Sequence, residues 1–291
     1  TLSTLHARAT NAAMPKVTIV DMKHEFDKAK GYVIFSDPLL EGIKRCIAKG
    51  EQVILFLNRR GYHTSLMCKQ CGNPVKCKSC DVSLTFHKNN NTLACHLCGF
   101  TYFPPPTICP GCSAPHPMKY QGIGTELVEK SLQAIFPEAR TLRLDADTTK
   151  HKGSHQKLLR AFGTGKADIL IGTQMIAKGL HFPAVTLVGV LNTDSALNIP
   201  DFRASETVFQ LITQVAGRAG RGALAGEVLI QTHMPENKTI LLAAQQEYEK
   251  FYEEEIAIRT LFSYPPLIRM IKIGFSGEDE KKTHHAAVYM Q

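Results

Sequence analysis

The sequence predicts an α/β fold: a parallel sheet with helices on both faces, interrupted by a small cysteine-rich insert. Three observations predict it. From residue 124 onward, apolar strands alternate with amphipathic helices, the pattern of βαβ units. Two earlier segments, 16–22 (KVTIVDM) and 52–57 (QVILFL), read as strands, the second a continuous apolar run suited to burial on both faces. Eight of the nine cysteines are confined to residues 68–112, a stretch rich in Cys, Lys, Asn and Pro without long apolar periodicity.

Along the chain, a helix over 38–49 begins with Pro38 and places Leu39, Leu40, Ile43, Cys46 and Ile47 at helical spacing. Cys46 falls on that apolar face and reads as a core residue. After the insert, helices are expected over 125–135, 154–162 and 204–216, and strands over 141–144, 167–171, 184–191 and 227–231. A charged helix is expected over 238–255. Tyr264-Pro265-Pro266 then marks a hinge into another region. The domain reading is 1–66 for the first part of the lobe, 67–117 for the insert, 118–260 for its remainder and 261–291 for the start of a further domain.

The 291 residues are 44% hydrophobic and 21% charged, the composition of a globular protein. No run approaches the ~20 apolar residues that cross a bilayer. The opening TLSTLHARAT has no signal-peptide pattern. The absent initiator Met and the ending at Met290-Gln291 lead us to expect a piece of a longer protein. A formal charge of +8 favours an anionic partner such as nucleic acid. Eight thiolates against two Zn²⁺ ions leave −4, taking a metal-loaded chain from +8 to +4, so charge is supporting only.

The cysteines form four Cys-x-x-Cys pairs: Cys68/Cys71, Cys77/Cys80, Cys95/Cys98 and Cys109/Cys112. Each pair supplies half of a tetrahedral thiolate site, so four pairs make two Zn²⁺ sites. Gly72, Gly99 and Gly111 are expected to allow the positive φ that turns backbone N–H groups toward sulfur. Between Cys80 and Cys95, DVSLTFHKNNNTLA reads as a hairpin turning at Asn89–Asn91. It would bring Cys77/Cys80 against Cys95/Cys98 and leave Cys68/Cys71 with Cys109/Cys112. A cross-braced pairing, first pair with third, satisfies the same count. Disulfides or a thiol redox protein suit the rest of the chain poorly, since it reads as an intracellular α/β domain. His87 and His96 lie inside the insert, but the thiolate count is already complete. Lys69, Lys76, Lys78 and Lys88 would make a basic face for phosphate or a protein, or simply a solvated one.

Gln214, Arg218 and Arg221 are spaced i, i+4 and i+7 in QVAGRAGRG, and share one face if the preceding helix continues. Arginine suits phosphate, because its planar fork donates two hydrogen bonds and stays charged. Cationic capping of a helix end is the simpler alternative. ADILIGTQMIAKG carries Gly172 and Thr173 to the end of a strand, where open α/β sheets place ligands. VILFLNRRGY leaves Asn58, Arg59 and Arg60 at the end of another.

These three segments, in this order, resemble motifs IV, V and VI of superfamily-two helicases. With the four cysteine pairs inserted between the first two, and with GIGTE, DADTT and DFRASE in order, nearly the whole chain resembles the bacterial primosomal replication-restart helicases. The resemblance implies a RecA-like helicase second lobe with a two-zinc module. It implies that Arg218 and Arg221 reach the γ-phosphate of ATP as arginine fingers, with Gln214 positioning phosphate or water. It implies that Gly172, Thr173 and Gln174 contact the DNA backbone and that Lys178 couples that contact to the cleft. It further implies ATP and Mg²⁺ in the full-length protein, 3′-to-5′ unwinding of forked and single-stranded DNA, and recruitment of primosome proteins beside single-strand binding protein. A monomer in the bacterial cytoplasm, without membrane association, is expected. The family's zinc pairing joins first pair to last. His181 departs from the often acidic residue of motif V.

No Walker A loop is present: Gly163-Thr164-Gly165-Lys166-Ala167 and Gly122-Ile123-Gly124-Thr125 both miss G-x-x-x-x-G-K-[ST]. Asp279-Glu280 follows no expected strand, so it is not a Walker B carboxylate. The first motor lobe is thus expected to precede Thr1, and the chain alone is expected not to hydrolyse ATP. The competing class is a non-enzymatic zinc-dependent DNA- or protein-binding module.

Overall fold

The computed structural model describes residues 15–31, 33–57, 65–68, 70, 74–79, 83–87, 91–95, 98–115, 118–121, 124–145, 148–149, 151, 153–173, 176, 182–197, 199, 201–219, 225–271, 273, 275 and 279–290. Strand β1 (Lys16–Asp21) gives way to helix α1 (Met22–Ala29), because the Asp21 side chain accepts from Lys23 N and caps a helix there. The sequence reading, which carried this strand to Met22, contained no such helix. Helix α2 (Asp37–Ala48) starts on Ser36, whose hydroxyl accepts from Leu39 N, and Pro38 sits in its first turn. Strand β2 (Gln52–Leu57) follows, buried at every residue.

The insert then leaves the sheet. It contains β3 (Ser65–Cys68), β4 (Thr85–His87), β5 (Thr92–Ala94), β6 (Thr101–Tyr102) and β7 (Met118–Gln121). Strands β3 and β7 form an antiparallel ladder from Ser65↔Gln121 to Cys68↔Met118. Strands β4, β5 and β6 form a small antiparallel sheet whose first hairpin pairs His87 with Thr92.

The lobe resumes with α3 (Thr125–Ile135), β8 (Thr141–Leu144), α4 (Ser154–Gly163), β9 (Ile169–Gly172), β10 (Val185–Leu191), α5 (Asp194–Leu197), α6 (Ala204–Ala216) and β11 (Glu227–Thr232). One parallel sheet collects the long strands in the order β1-β11-β10-β2-β9-β8. The strands alternate side chains between two cores. Ile54, Phe56, Leu170 and Val188 face α4 and α6 residues such as Phe162 and Ile212. Val53, Leu55, Ile169 and Leu187 face Leu39, Ile43, Val128 and Leu132 of α2 and α3. At Gly189 a Cβ would stand 2.7 Å from Leu55 and 2.9 Å from Leu39, so glycine lets α2 lie directly on β10.

The charged stretch expected as one helix over 238–255 is two: α7 (Lys238–Gln245) and α8 (Tyr248–Leu261). Gln246 adopts φ 58° and its N–H returns to the Ala243 and Leu242 carbonyls. The turn lets Phe251 stack on Phe209 of α6 at 4.2 Å between ring centroids. Good helix formers on both sides hide such a break from periodicity, while burying Phe251 requires the change of direction.

The chain divides into two compact units, Thr1–Phe251 and Tyr252–Gln291. The division falls inside α8, ahead of the Tyr264-Pro265-Pro266 turn. In the second unit Arg259 pairs with Glu255 and donates to the Pro265 carbonyl at 3.2 Å. A last helix, α9 (Glu280–Tyr289), is capped by Asp279, where the sequence read a polar tail. No helix among the described residues is long and apolar enough to cross a membrane.

Candidate metal centres and the carboxyl edge of the sheet

Two groups of thiols come together in the insert: Cys68, Cys109 and Cys112, and Cys77, Cys95 and Cys98. Within each group all sulfurs lie within 4.8 Å of one another. Cys68 Sγ is 3.6 Å from Cys112 Sγ, and Cys77 Sγ is 3.5 Å from Cys98 Sγ. Tetrahedral Zn–S bonds of ~2.3 Å place sulfurs ~3.8 Å apart, so the three described thiols of each group fit zinc in donor type and spacing. First pair meets last and second meets third, not the cross-braced alternative. Cys71 and Cys80, the fourth cysteine expected at each site, lie outside the described residues, as do Gly72, Lys69, Lys88 and His96.

The third and fourth pairs share one backbone device. Cys95 N donates to Phe100 O at 2.8 Å and Gly99 N to Cys95 O at 3.0 Å. Likewise Cys109 N donates to Ala114 O at 3.0 Å and Ser113 N to Cys109 O at 2.9 Å. Each turn needs a left-handed residue, supplied by Gly99 (φ 76°) and Ser113 (φ 57°). Gly111 does not adopt a left-handed φ, so the expected role of glycine passes to Ser113 in the last pair. Backbone N–H groups of Cys112 and, less strongly, Gly111 lower the Cys109 thiol to about 7 against its burial, with the Cys112 and Cys68 thiols adding to the effect. Such N–H donors favour thiolate, the form that binds metal. Leu66, Val75, Leu84 and Leu93 form a small core with Cys77 and Cys95 of the second group.

The strand ends of the lobe line up in register. Leu144 of β8 stands beside Gly172 of β9, and Gly172 beside Phe56 of β2. At Gly172 a Cβ would come within 2.3 Å of Ile176 and 2.7 Å of the Leu144 carbonyl. Glycine there lets the following turn fold back, with Ile176 N on Thr173 O at 2.9 Å. The Thr173 hydroxyl is buried, 2% of the residue being exposed, and has no hydrogen-bond partner among the described residues. Next to it, Asp145 accepts from Thr125 Oγ1 of α3 at 2.6 Å and from Thr148 N at 2.9 Å. Gln174, Lys178, His181 and Asn58–Arg60 lie outside the described residues.

Helix α6 tightens after Ala216: Arg218 N donates to Val215 O at 2.9 Å and Ala219 N to Ala216 O at 3.3 Å. Gln214 is exposed and Arg218, about one turn on, half-buried. Arg221 lies outside the described residues.

One polar cluster at this edge went unread in the sequence. Asp194, at the start of α5, accepts from His233 N at 2.8 Å, from Thr232 Oγ1, and pairs with His233 Nδ1 at 3.0 Å. Burial raises the Asp194 carboxyl, yet the hydrogen bonds from His233 and Thr232 outweigh it and hold the group below the usual carboxylate range. Its signal was polar residues directly after two neighbouring apolar strands.

Comparison with known proteins completes the description. Residues 77–101 match the PriA DNA helicase Cys-rich region (CRR) domain, and residues 123–223 match the helicase conserved C-terminal domain. A replication restart protein PriA of Chlamydia pneumoniae is 53% identical over 286 residues, covering 98% of this chain and 38% of that protein. That of Bacillus subtilis is 48% identical over 281 residues, covering 97% and 34%. That of Haemophilus influenzae is 42% identical over 262 residues, covering 90% and 35%. The chain thus spans little more than a third of the length of these relatives.

Proposed function

We propose, because this chain belongs to the PriA family of replication restart proteins, that it supplies the second motor lobe and the zinc module of an ATP-dependent DNA helicase. The single observation that carries the reading is the pair of thiol groups set into the β2–α3 connection of a helicase C-terminal lobe. In this reading the parent protein unwinds DNA 3′ to 5′ at abandoned forks and assembles the primosome there, as a monomer in the bacterial cytoplasm. Forked and single-stranded DNA, primosome proteins and single-strand binding protein are its partners.

Cys68, Cys71, Cys109 and Cys112 hold one Zn²⁺, and Cys77, Cys80, Cys95 and Cys98 the other. Four thiolates leave no open coordination position, so zinc serves here as a structural cross-link. Arg218 and Arg221 face the γ-phosphate of ATP, whose Mg²⁺ and Walker loop come from a first lobe. Gln214, one turn before Arg218, orients phosphate or water. Gly172, Thr173 and Gln174 meet the DNA backbone through main-chain N–H groups, since the Thr173 hydroxyl is buried, and Lys178 couples that contact to the cleft. The lobe occupies 1–66 and 118–260 around the module at 67–117, with a further domain beginning at 261.

The test is DNA-stimulated ATP hydrolysis by a full-length protein carrying this lobe, as wild type and as Arg218→Ala and Arg221→Ala. Loss of about 10³-fold is expected of an arginine finger. Wild-type turnover in both variants would reduce these residues to helix caps. The chain by itself should turn over no more ATP than its own Arg221→Ala variant.

A further inference from the structure

The two thiol groups occupy different places in the topology. Cys77, Cys95 and Cys98 all lie inside the insert. Cys68, Cys109 and Cys112 bracket it, for Cys68 ends β3, and Cys109 and Cys112 come shortly before β7. In the ladder Cys68 pairs with Met118. The opposite end, Ser65↔Gln121, is where the chain enters from β2 and leaves toward α3.

That ladder has four residue pairs, and an isolated two-stranded ribbon of such length is marginal in water. Its strands are joined only through the insert, so closing it costs the entropy of a long loop. A cross-link between Cys68 and Cys109/Cys112 shortens that loop to a few residues. Beyond the ladder, α3 begins at Thr125, whose hydroxyl holds Asp145 at the carboxyl edge of the sheet. Asp145 follows Leu144, which stands beside Gly172.

We propose that the two sites have separate jobs. The Cys68/Cys109/Cys112 site is a clamp at the neck of the insert, and its cysteines are positioning residues for the DNA-facing edge of the lobe. The Cys77/Cys95/Cys98 site organises the outer hairpin and touches the ladder through packing, for Cys77 and Cys95 share a core with Leu66 of β3, and Met118 of β7 packs against it. This rests on the zinc reading above. Metal at the neck keeps β3 on β7, and the closed ladder fixes where α3 starts and therefore how Thr125 holds Asp145.

Amide hydrogen exchange with zinc counting by native mass spectrometry tests it on the zinc-loaded chain, as wild type, Cys112→Ser, Cys98→Ser and Cys112→His. Wild type should carry two zinc ions and each serine variant about one. Cys112→Ser should speed exchange about tenfold or more in 118–121 and 128–131, as loss of a local closing interaction does. Cys98→Ser should leave those amides protected and expose 92–94. Cys112→His, which keeps a ligand, should restore protection. Slow exchange in β2 and β10 of every variant shows that the lobe is folded. Equal opening by Cys98→Ser, or an unopened ladder in zinc-depleted Cys112→Ser, overturns the division of labour. A wild type without zinc overturns the metal reading, and the clamp with it.

Discussion

At Gly172 the space for a side chain is taken by Ile176 and by the carbonyl of Leu144, while at Ser113 the backbone has the shape that glycine prefers. The two positions therefore respond oppositely to substitution. Gly172→Ala forces the turn after β9 away from the strand and should cost about 1–3 kcal/mol, read from urea unfolding at constant zinc. Ser113→Gly relieves a left-handed residue, worth about 1 kcal/mol, and should raise the chelator concentration needed to strip the metal. A lower concentration would mean that the Ser113 side chain supports the site. Neither demand shows in the sequence. Gly172 reads there as a ligand-contacting strand end, and its first duty is steric. Ser113 is an ordinary residue until its φ is known.

Elements were legible to the degree that their own side chains determine them. The apolar run of β2 and the helical spacing of α3 and α6 describe burial directly, and the sheet shows it. The hairpin turn near Asn91 was legible from its asparagines, and it brings Cys77 to Cys95 and Cys98. Helix α1 depends on one capping side chain, Asp21, and the break between α7 and α8 on a left-handed Gln246 that serves Phe251. Such features arise from tertiary demand and leave no periodic trace. The Asp194 latch is of the same kind, joining the start of α5 to the end of β11 across the edge of the sheet. Its folded carboxyl is depressed, so its stabilisation is full above the unfolded value of ~3.9 and is lost as pH falls through the folded one. Asp194→Asn should unfold more easily at pH 7, by about 1–3 kcal/mol for weakened buried hydrogen bonds. It should also lose less stability than wild type as pH falls from about 5 to 3. Parallel pH curves for the two proteins would show that another group carries the acid sensitivity.

Across the whole molecule, the sheet places β2 in its middle, and the insert leaves from that central strand without disturbing its neighbours. The neck between β3 and β7 is a narrow link between a cysteine-rich module and a lobe held by two apolar cores. The strand order also carries a consequence for synthesis. Among the described residues β1 has one neighbour, β11, with Lys16 opposite Glu227. On a ribosome that delivers residues in order, β1 emerges early and waits unpaired until β11 appears. By then all eight cysteines of the insert have long been outside the exit tunnel and available to metal. The module can mature while the lobe is still an open sheet, and the first of this sheet's described strands to be made is among the last to be seated.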